Sequence, residues 1–296
     1  FEAVRRGELT LDTKVKISQH AANEPPSKLG LRAGQSIELR YLIRAASVKS
    51  ANDAATALGE AIAGSEAAFA RRMNRTAKAM GMSRTTFKNA HGLTEEGHLS
   101  TARDMTLLGR HLFFDFPEYY NLFSRRSTNA GVREVANTNR KFLADYEGAD
   151  GIKTGYTRAA GFNLVASAQR GNERIIATVF GGRSTAWRNQ RVAELLDLGF
   201  KRAPTRVAIR KPAALNYAAL PPEPSSPNIV TREAGKAINV ELAVARSVRP
   251  APNPGRKLQA PPETLLLAMQ DEINDAVAEI AEAQVAAAET TPDTPA

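Results

Sequence analysis

The amino-acid sequence predicts an α+β fold in which an antiparallel sheet is flanked by helices. Residues 163–168 and 174–180 are rich in strand-forming residues, and the polar turn 170–173 between them is typical of a β-hairpin. A further short strand over 151–156 precedes this hairpin and is predicted to join the same sheet. Apolar residues recur at helical spacing in the segments before and after these strands, so helices are predicted on both sides.

The first part of the chain is predicted to be mainly helical. It begins with the last turns of a helix, which Gly7 closes in the left-handed conformation. Ser36 is predicted to start the next helix, with Glu38 in its first turn. Residues 47–52 interrupt this helix, which resumes over 53–62 as an Ala-rich segment that can pack closely.

Three further helices follow. Ser65 is predicted to cap the first of them, which carries apolar residues at helical spacing. Thr101 and Asp104 form a capping box for the second, which Pro117 ends. The third is an amphipathic helix over 187–200, after the predicted hairpin.

Composition limits the classes of site that the chain can contain. The chain has 296 residues and no cysteine, which excludes disulfides and thiolate metal sites. The spacing of the four histidines matches no metal-ligand motif, so no metal site is predicted, and His91 is expected to have a structural role. The net charge of +9 suits an anionic polymer or a substrate ending in a carboxylate. No nucleic-acid-binding motif accompanies this charge, so no nucleic-acid partner is predicted.

The composition changes near Ala203, where we place a domain boundary. Thirteen of the 16 prolines lie from Pro204 onward, and 204–261 is predicted to be a basic, extended and mostly disordered linker. Within the acidic residues that follow, 263–289 is predicted to form an isolated helix whose narrow apolar seam indicates a partner helix. The expected regions are a domain over 1–203, the linker over 204–261, and an acidic Ala-rich helix and tail over 262–296.

Two short motifs carry candidate chemistry. Lys153, Thr154 and Gly155 present a cation, a hydroxyl and a backbone without a side chain in succession on the first predicted strand. Taken alone, this tripeptide is more often a surface lysine followed by a turn. Upstream, Ser50 and Asn52 form an S-x-N triplet at the junction of two helical segments. Penicillin-recognising serine enzymes combine S-x-x-K, an S-x-N type triplet and K-T-G in this order, and two of the three are present.

Five segments of the chain follow one another in the order and at the spacing of one enzyme family. They are 49–54 (KSANDA), 87–93 (FKNAHGL), 100–109 (STARDMTLLG), 150–157 (DGIKTGYT) and 160–168 (AGFNLVASA). On these segments, residues 1–202 resemble the low-molecular-mass penicillin-binding proteins, the serine D-alanyl-D-alanine carboxypeptidases. The resemblance implies a β-lactamase/transpeptidase-like fold. It also implies removal of the terminal D-alanine from peptidoglycan stem peptides through an acyl-enzyme.

The resemblance implies roles for the catalytic candidates. Ser50 matches the second serine of the family, which passes a proton to the amine of the leaving D-alanine. Asn52 would hold the acyl carbonyl of the substrate and the catalytic lysine in register. Lys153 would supply fixed positive charge that favours the ionised nucleophile. Without the resemblance, a Ser-Ala-Asn triplet between helices would be interpreted as a helix cap.

The strand that carries Lys153 would also bind the substrate. Lys153 and the Thr154 hydroxyl would contact the substrate carboxylate, and Gly155 would leave room for a peptide to add to the sheet. The backbone N–H of Tyr156 would form half of the oxyanion hole. The implied partners are a peptidoglycan pentapeptide ending in D-Ala-D-Ala and, as inhibitors, β-lactam antibiotics. No cofactor and no metal is required, and the implied location is the periplasm or cell envelope after export.

The S-x-x-K motif of the family is missing, because no serine of the chain is followed three residues later by lysine. We therefore expect a fragment that starts a few residues after the acylating serine and is inactive by itself. The sequence contains neither a signal peptide nor an apolar run long enough to span a membrane. Two alternatives stay open. Beside the carboxypeptidase, they are an endopeptidase of the same family that cuts peptide cross-bridges, and a wall-binding protein that lacks the nucleophile.

The resemblance also predicts a geometry. Ser50, Asn52 and Lys153 should lie within hydrogen-bond reach at the edge of the sheet, because a proton relay requires such contacts. Their side chains should face one groove. An apolar channel, lined in part by the Ala-rich helix over 53–62, should accompany this groove.

Overall fold

The structure is a computed structural model that describes residues 1–204, 208–215 and 217. These residues form an α+β fold with antiparallel sheets and helices, as predicted. Most of the predicted linker, and the whole of the predicted acidic helix and tail, lie outside the described residues.

The helices and strands are numbered in chain order. They are α1 (Glu2–Arg5), β1 (Lys14–Lys16), α2 (Gln19–Ala22), β2 (Ser36–Glu38), α3 (Leu39–Arg44), a π-helical turn (Ala45–Lys49), α4 (Asn52–Ala63), α5 (Glu66–Ala79), α6 (Ala102–Asp115), α7 (Pro117–Tyr120), β3 (Ser127–Asn129), β4 (Glu134–Ala136), α8 (Arg140–Asp145), β5 (Ala149–Thr157), β6 (Gly161–Arg170), β7 (Glu173–Gly182) and α9 (Thr185–Arg202).

The largest sheet has three antiparallel strands in the order β5-β6-β7. The predicted hairpin is confirmed as β6 and β7, which pair up to Arg170 and Glu173 at the turn. The predicted preceding strand is confirmed as β5, in which Lys153 pairs with Val165. Among the described strands β5 pairs only with β6, so its other edge is left for further hydrogen bonding.

Alternating residues of the central strand face two different hydrophobic cores. Leu164 and Ala166 of β6 lie in one cluster with Val192 and Leu196 of α9. Val165, between them in sequence, belongs to the larger cluster that also contains residues of α3 and α4. The sheet is therefore buried on both faces at β6, which holds the neighbouring edge strand β5 in place.

The helical part of the chain is built around closely packed alanines. The predicted Ala-rich helix is confirmed as α4, in which Ala54 and Ala57 are almost completely buried. The predicted caps of the following helices are also confirmed. The hydroxyl of Ser65 accepts a hydrogen bond from the N–H of Ala68, and the hydroxyl of Thr101 accepts one from the N–H of Asp104.

The predicted helix start at Ser36 is wrong. Residues Ser36–Glu38 form strand β2, which pairs with β1, and the helix begins only at Leu39. Ile37 is buried opposite Val15 while Ser36 is exposed. This strand-like alternation of exposed and buried residues outweighs the tendency of Ser36 to cap a helix. Three residues are too few for this alternation to be recognised in the sequence.

The described helices include none that is long and apolar enough to cross a membrane. Helix α9 ends at Arg202, next to the predicted boundary at Ala203. Beyond it, Tyr217 returns to α5, where its carbonyl oxygen accepts a hydrogen bond from Arg75 at 3.1 Å. The Tyr217 hydroxyl lies 3.1 Å from that of Thr76, and the Arg6 guanidinium lies 5.0 Å from the centre of its ring.

Tyr217→Ala should lower the melting temperature by a few degrees, because it removes a half-buried hydrogen bond and a cation–π contact. Tyr217→Phe keeps the ring and loses only the hydroxyl contact with Thr76, so its effect should be smaller. Thermal unfolding of both variants measures these effects. An unchanged melting temperature for Tyr217→Ala would show that this contact contributes nothing to stability.

Candidate active site

The fold brings the two predicted motifs together at the edge of the sheet. The ammonium group of Lys153 on β5 donates a hydrogen bond to Oγ of Ser50, a residue 103 positions away in sequence. A second hydrogen bond from the same ammonium reaches the carbonyl oxygen of Thr154 at 3.0 Å. The expected contact between Ser50 and Lys153 is therefore present.

Ser50 occupies an unusual backbone conformation. Its φ of 61° and ψ of 39° lie in the left-handed region, and it is the one non-glycine residue with positive φ among the described residues. The conformation ends the π-helical turn, and the Ser50 N–H is bonded to Ala45. A non-glycine residue held in this region costs roughly 1 kcal/mol or more, and such residues cluster at functional sites.

The Asn52 side chain makes a different contact from the one expected. It is 7% exposed, and its amide nitrogen donates to the carbonyl oxygen of Pro25 at 2.9 Å. Its backbone N–H donates to the Ser27 carbonyl at 2.7 Å. Within the described chain, no hydrogen bond joins this amide group to Ser50 or Lys153, so the structure brings together two of the three predicted side chains.

The reason for this contact lies in the next residue of α4. The Asp53 carboxylate is completely buried and accepts the N–H groups of Leu29, Gly30 and Leu31 at 2.8, 2.8 and 3.0 Å. These bonds hold the loop that contains Leu29, Gly30 and Leu31 against the start of α4. The carbonyl groups of Pro25 and Ser27, just before this loop, therefore lie within hydrogen-bond distance of Asn52. Asp53 was not selected from the sequence, although an acidic residue in the first turn of a helix is a recognisable signal.

Two cations, the half-buried Lys153 and the buried Arg188, make the site electropositive. Burial, with a smaller contribution from the positive charge of Arg188, lowers the pKa of Lys153 to about 8. Arg188 is 4% exposed, and burial lowers the pKa of its guanidinium to about 10. Neither cation pairs with a carboxylate among the described residues, so an anionic ligand would find both charges uncompensated.

Sequence reasoning missed Arg188. It lies in the first turn of α9, where the Ser184 hydroxyl caps the helix, and its guanidinium donates to Asn189 at 2.8 and 3.1 Å. The signal in the sequence was its position four residues before Val192, on the apolar stripe of the helix. A cation on such a stripe is buried against the protein rather than exposed to solvent.

A pair of hydroxyl groups lies beside Lys153. The hydroxyl of Thr154 is 2.6 Å from that of Thr138, an exposed residue that sequence reasoning also missed. The backbone N–H of Thr138 donates to Val48 at 3.1 Å, which ties this loop to the π-helical turn that precedes Ser50. Thr138 was not recognisable in the sequence because it belongs to no motif.

The end of β5 is open to solvent. A Cβ added at Gly155 would meet only the Asn163 side chain, at an ordinary contact distance of 3.9 Å. Tyr156 is 50% exposed, and its ring packs against Phe162 with 4.4 Å between ring centres. The fold itself does not require glycine at residue 155, so the space there is available to a ligand.

An apolar cavity of about 210 Å³ lies beside α4. Its lining includes Leu58 and Ile62 of α4, as expected for the predicted channel, and Phe1 and Val4 at the start of the chain. The His91 side chain is 8% exposed.

Comparison with known proteins identifies relatives over this part of the chain. The family model of D-alanyl-D-alanine carboxypeptidases matches residues 1–184. D-alanyl-D-alanine carboxypeptidase DacF of Bacillus subtilis is 39% identical over 210 residues, which are 69% of this chain and 54% of that protein. DacA of Escherichia coli is 39% identical over 176 residues, which are 59% of this chain and 43% of that protein. The chain thus spans about half the length of these curated relatives.

Solved structures of similar proteins share the fold. D-alanyl-D-alanine carboxypeptidase DacD from Francisella tularensis has a TM-score of 0.64 at 33% identity, covering 67% of this chain and 60% of that chain. Penicillin-binding protein D2 from Listeria monocytogenes, in its ampicillin-bound form, has a TM-score of 0.58 at 32% identity. It covers 67% of this chain and 81% of that chain.

Lys153→Met should stabilise the chain at pH 7 and stabilise it less at pH 10. The folded-state pKa of about 8 lies below the ordinary 10.5, so between these values the unfolded chain binds more protons. The contribution of Lys153 to the free energy of unfolding therefore rises with pH across that window. Urea denaturation should show the advantage of the variant shrinking by about 2 kcal/mol from pH 7 to pH 10.

Lys141→Met is the matched control for this measurement. The Lys141 side chain is 76% exposed, so its replacement should have the same small effect at both pH values. An effect of Lys153→Met that does not change with pH would contradict the lowered pKa.

Proposed function

This chain belongs to the D-alanyl-D-alanine carboxypeptidase family, and from that premise we propose that it forms the substrate-binding part of a serine-type D-Ala-D-Ala carboxypeptidase. The substrate would be a peptidoglycan stem peptide that ends in D-Ala-D-Ala. The hydrogen bond between Lys153 and Ser50 at the open edge of β5 is the observation that carries the proposal. It would join a proton-transfer group to a desolvated cation where a peptide has room to bind.

The substrate would add to the sheet as an extended strand along β5. Its terminal carboxylate would bind near Lys153 and the Thr154 hydroxyl, with the charge of Arg188 adding to the attraction. Among the described residues, Lys153 and Arg188 have no carboxylate partner, which supports this placement. The open space at Gly155 supports the approach of a peptide backbone.

Ser50 would transfer the proton in the first half of the reaction. A serine supplied by an S-x-x-K segment attacks the penultimate D-alanine carbonyl, and the leaving D-alanine amine must gain a proton. An ammonium group can only donate hydrogen bonds, so Oγ of Ser50 accepts from Lys153 and its own proton is free to reach that amine. The lysine of the S-x-x-K segment would take the proton of the attacking serine and return it to Oγ of Ser50, which keeps Ser50 neutral overall. Water would then hydrolyse the acyl-enzyme.

The absence of S-x-x-K from these 296 residues bears on activity. We propose that the chain alone neither reacts with β-lactams nor releases D-alanine, because an acylating serine with its lysine base is required for both. In the whole protein we expect β-lactams to act as covalent inhibitors and the periplasm or cell envelope to be the location. A wall-binding role without catalysis is the alternative that experiment has to distinguish from this proposal.

The 296-residue chain is expected to form no adduct with labelled penicillin in a denaturing gel and to release no D-alanine. A version that carries the S-x-x-K segment of a relative ahead of residue 1 should show both activities. In that version, Lys153→Ala should cost about 3 kcal/mol or more of transition-state stabilisation, since a preorganised charge is lost.

Three results would change the proposal. An adduct on the 296-residue chain would contradict its inactivity. Cleavage of purified cross-linked muropeptides in preference to D-Ala-D-Ala ends would indicate an endopeptidase. Failure of the extended version to react with penicillin would indicate the wall-binding role.

Gly155→Val should weaken the binding of an acetylated D-Ala-D-Ala peptide without lowering the melting temperature. The fold has space for the added Cβ, whereas a peptide lying along β5 would meet the new side chain. NMR titration with the peptide measures binding. Gly171→Val is the control, and it should lower the melting temperature while leaving peptide binding unchanged. Gly171 has a φ of +57°, which disfavours a side chain, and it lies in the β6–β7 turn. Equal binding by Gly155→Val and the parent chain would exclude this binding mode.

A further inference from the structure

Two imidazoles and two carboxylates converge beside α2, at the start of α5. The side chains of His20, Glu24, Glu66 and His91 form what we call the His–Glu cluster. Nε2 of His20 lies 2.9 Å from Oε2 of Glu66 and 3.7 Å from Oε1 of Glu24. We propose that His20, Glu24 and Glu66 bind one divalent transition-metal ion of the zinc class.

The three donor atoms lie near the spacing expected for ligands of a tetrahedral ion. All three lie within 4.8 Å of one another. Zinc binds imidazole nitrogen and carboxylate oxygen at about 2.0–2.2 Å, which separates two ligand atoms of a tetrahedron by roughly 3.4 Å. The distances of 2.9 and 3.7 Å from His20 lie on either side of this separation. Small side-chain movements would therefore complete the geometry.

The remaining carboxylate oxygens are held by a second layer of donors. Nε2 of His91 lies 3.3 Å from Oε2 of Glu24 and 3.5 Å from Oε1 of Glu66. The N–H of Leu93 donates to Nδ1 of His91 at 3.2 Å, which leaves the ring proton on Nε2, facing both carboxylates. The N–H of Ala90 donates to Oε1 of Glu66 at 2.9 Å. Metal-binding carboxylates are oriented by such outer hydrogen bonds.

The charge of the cluster favours an additional cation. Glu24 is 7% exposed, and within the described residues the ion pairs of Glu24 and Glu66 are with imidazoles alone. The Thr56 hydroxyl lies 2.9 Å from Glu24 and 3.5 Å from Glu66, but it has a single proton to share. Two close carboxylates, one of them buried, are poorly compensated by imidazoles, whereas one divalent ion would balance both.

The mixed donor set selects the class of ion. Calcium and magnesium prefer sites made of oxygen ligands alone, whereas one imidazole with two carboxylates suits zinc. The His20 side chain is 59% exposed, so the fourth position of the ion would face solvent and accept water. This exposure also gives the ion a path into the site.

The ion would brace the start of α4, the helix that begins at Asn52 of the S-x-N motif. Glu24 directly precedes Pro25, whose carbonyl oxygen accepts the amide of Asn52. Thr56, which bonds Glu24, lies one turn after Asn52 on α4. Binding would therefore fasten α2 and the start of α5 to α4. The metal site does not depend on the proposed enzymatic function.

Calorimetric titration of the full chain with zinc chloride, after EDTA treatment and dialysis, tests the site. We expect one ion per chain with a dissociation constant below about 1 µM and a rise in melting temperature. His20→Ala and Glu24→Gln should each weaken zinc binding by about 100-fold or more. Cobalt added in place of zinc should give the visible absorption of a tetrahedral site in the parent chain but in neither of these two variants.

His111→Asn is the matched control. His111 forms another histidine–carboxylate pair four residues apart, with Asp115 at 2.8 Å, but it is not part of the cluster. Zinc binding should survive this change. A parent affinity weaker than about 10 µM, or equal affinities in the parent and His20→Ala, would overturn the proposal. Because His20 is exposed, His20→Ala is expected to fold even if Glu24→Gln does not.

Discussion

One buried carboxylate fixes the arrangement on which the candidate site depends. Asp53 accepts three successive backbone N–H groups from Leu29, Gly30 and Leu31. A carboxylate that is completely removed from water must keep these bonds, since an unpaired buried charge is costly. The loop is therefore held against the start of α4. Ser50, three residues earlier, has the left-handed backbone conformation that sets the direction in which α4 begins.

The electrostatic character of the site follows from where this arrangement places its cations. Lys153 bonds Ser50 instead of a carboxylate, and Arg188 bonds the neutral Asn189. Burial makes both positive charges unfavourable until an anion arrives, which is the condition under which a carboxylate ligand gains most from binding. A basic protein surface alone would give only weak, screened attraction. For the proposed function, we therefore expect the specificity to come from these two charges and not from the net charge.

The His–Glu cluster and the candidate active site share the same support. One hydrogen bond, from the Asn52 amide to the Pro25 carbonyl, connects the two sites, and both sites lie against α4. The two locations are thus linked through the start of one well-packed helix. The close packing of α4 depends on its small residues, such as Ala54 and Ala57, which leave no side chain to absorb a displacement.

The sequence by itself determined the α+β class, the β6–β7 hairpin, the caps at Ser65 and Thr101, and the two motifs that contain Ser50 and Lys153. Periodicity, capping and motif order are properties of neighbouring residues, so they can be recognised without a fold. Only the tertiary structure decided that residues 36–38 pair as a strand and that the Asn52 amide bonds Pro25. It alone brought Arg188 toward Lys153, and it alone assembled the His–Glu cluster from His20, Glu24, Glu66 and His91. These features arise from contacts between distant segments, and the energies of such contacts are not contained in the local preferences of any one segment.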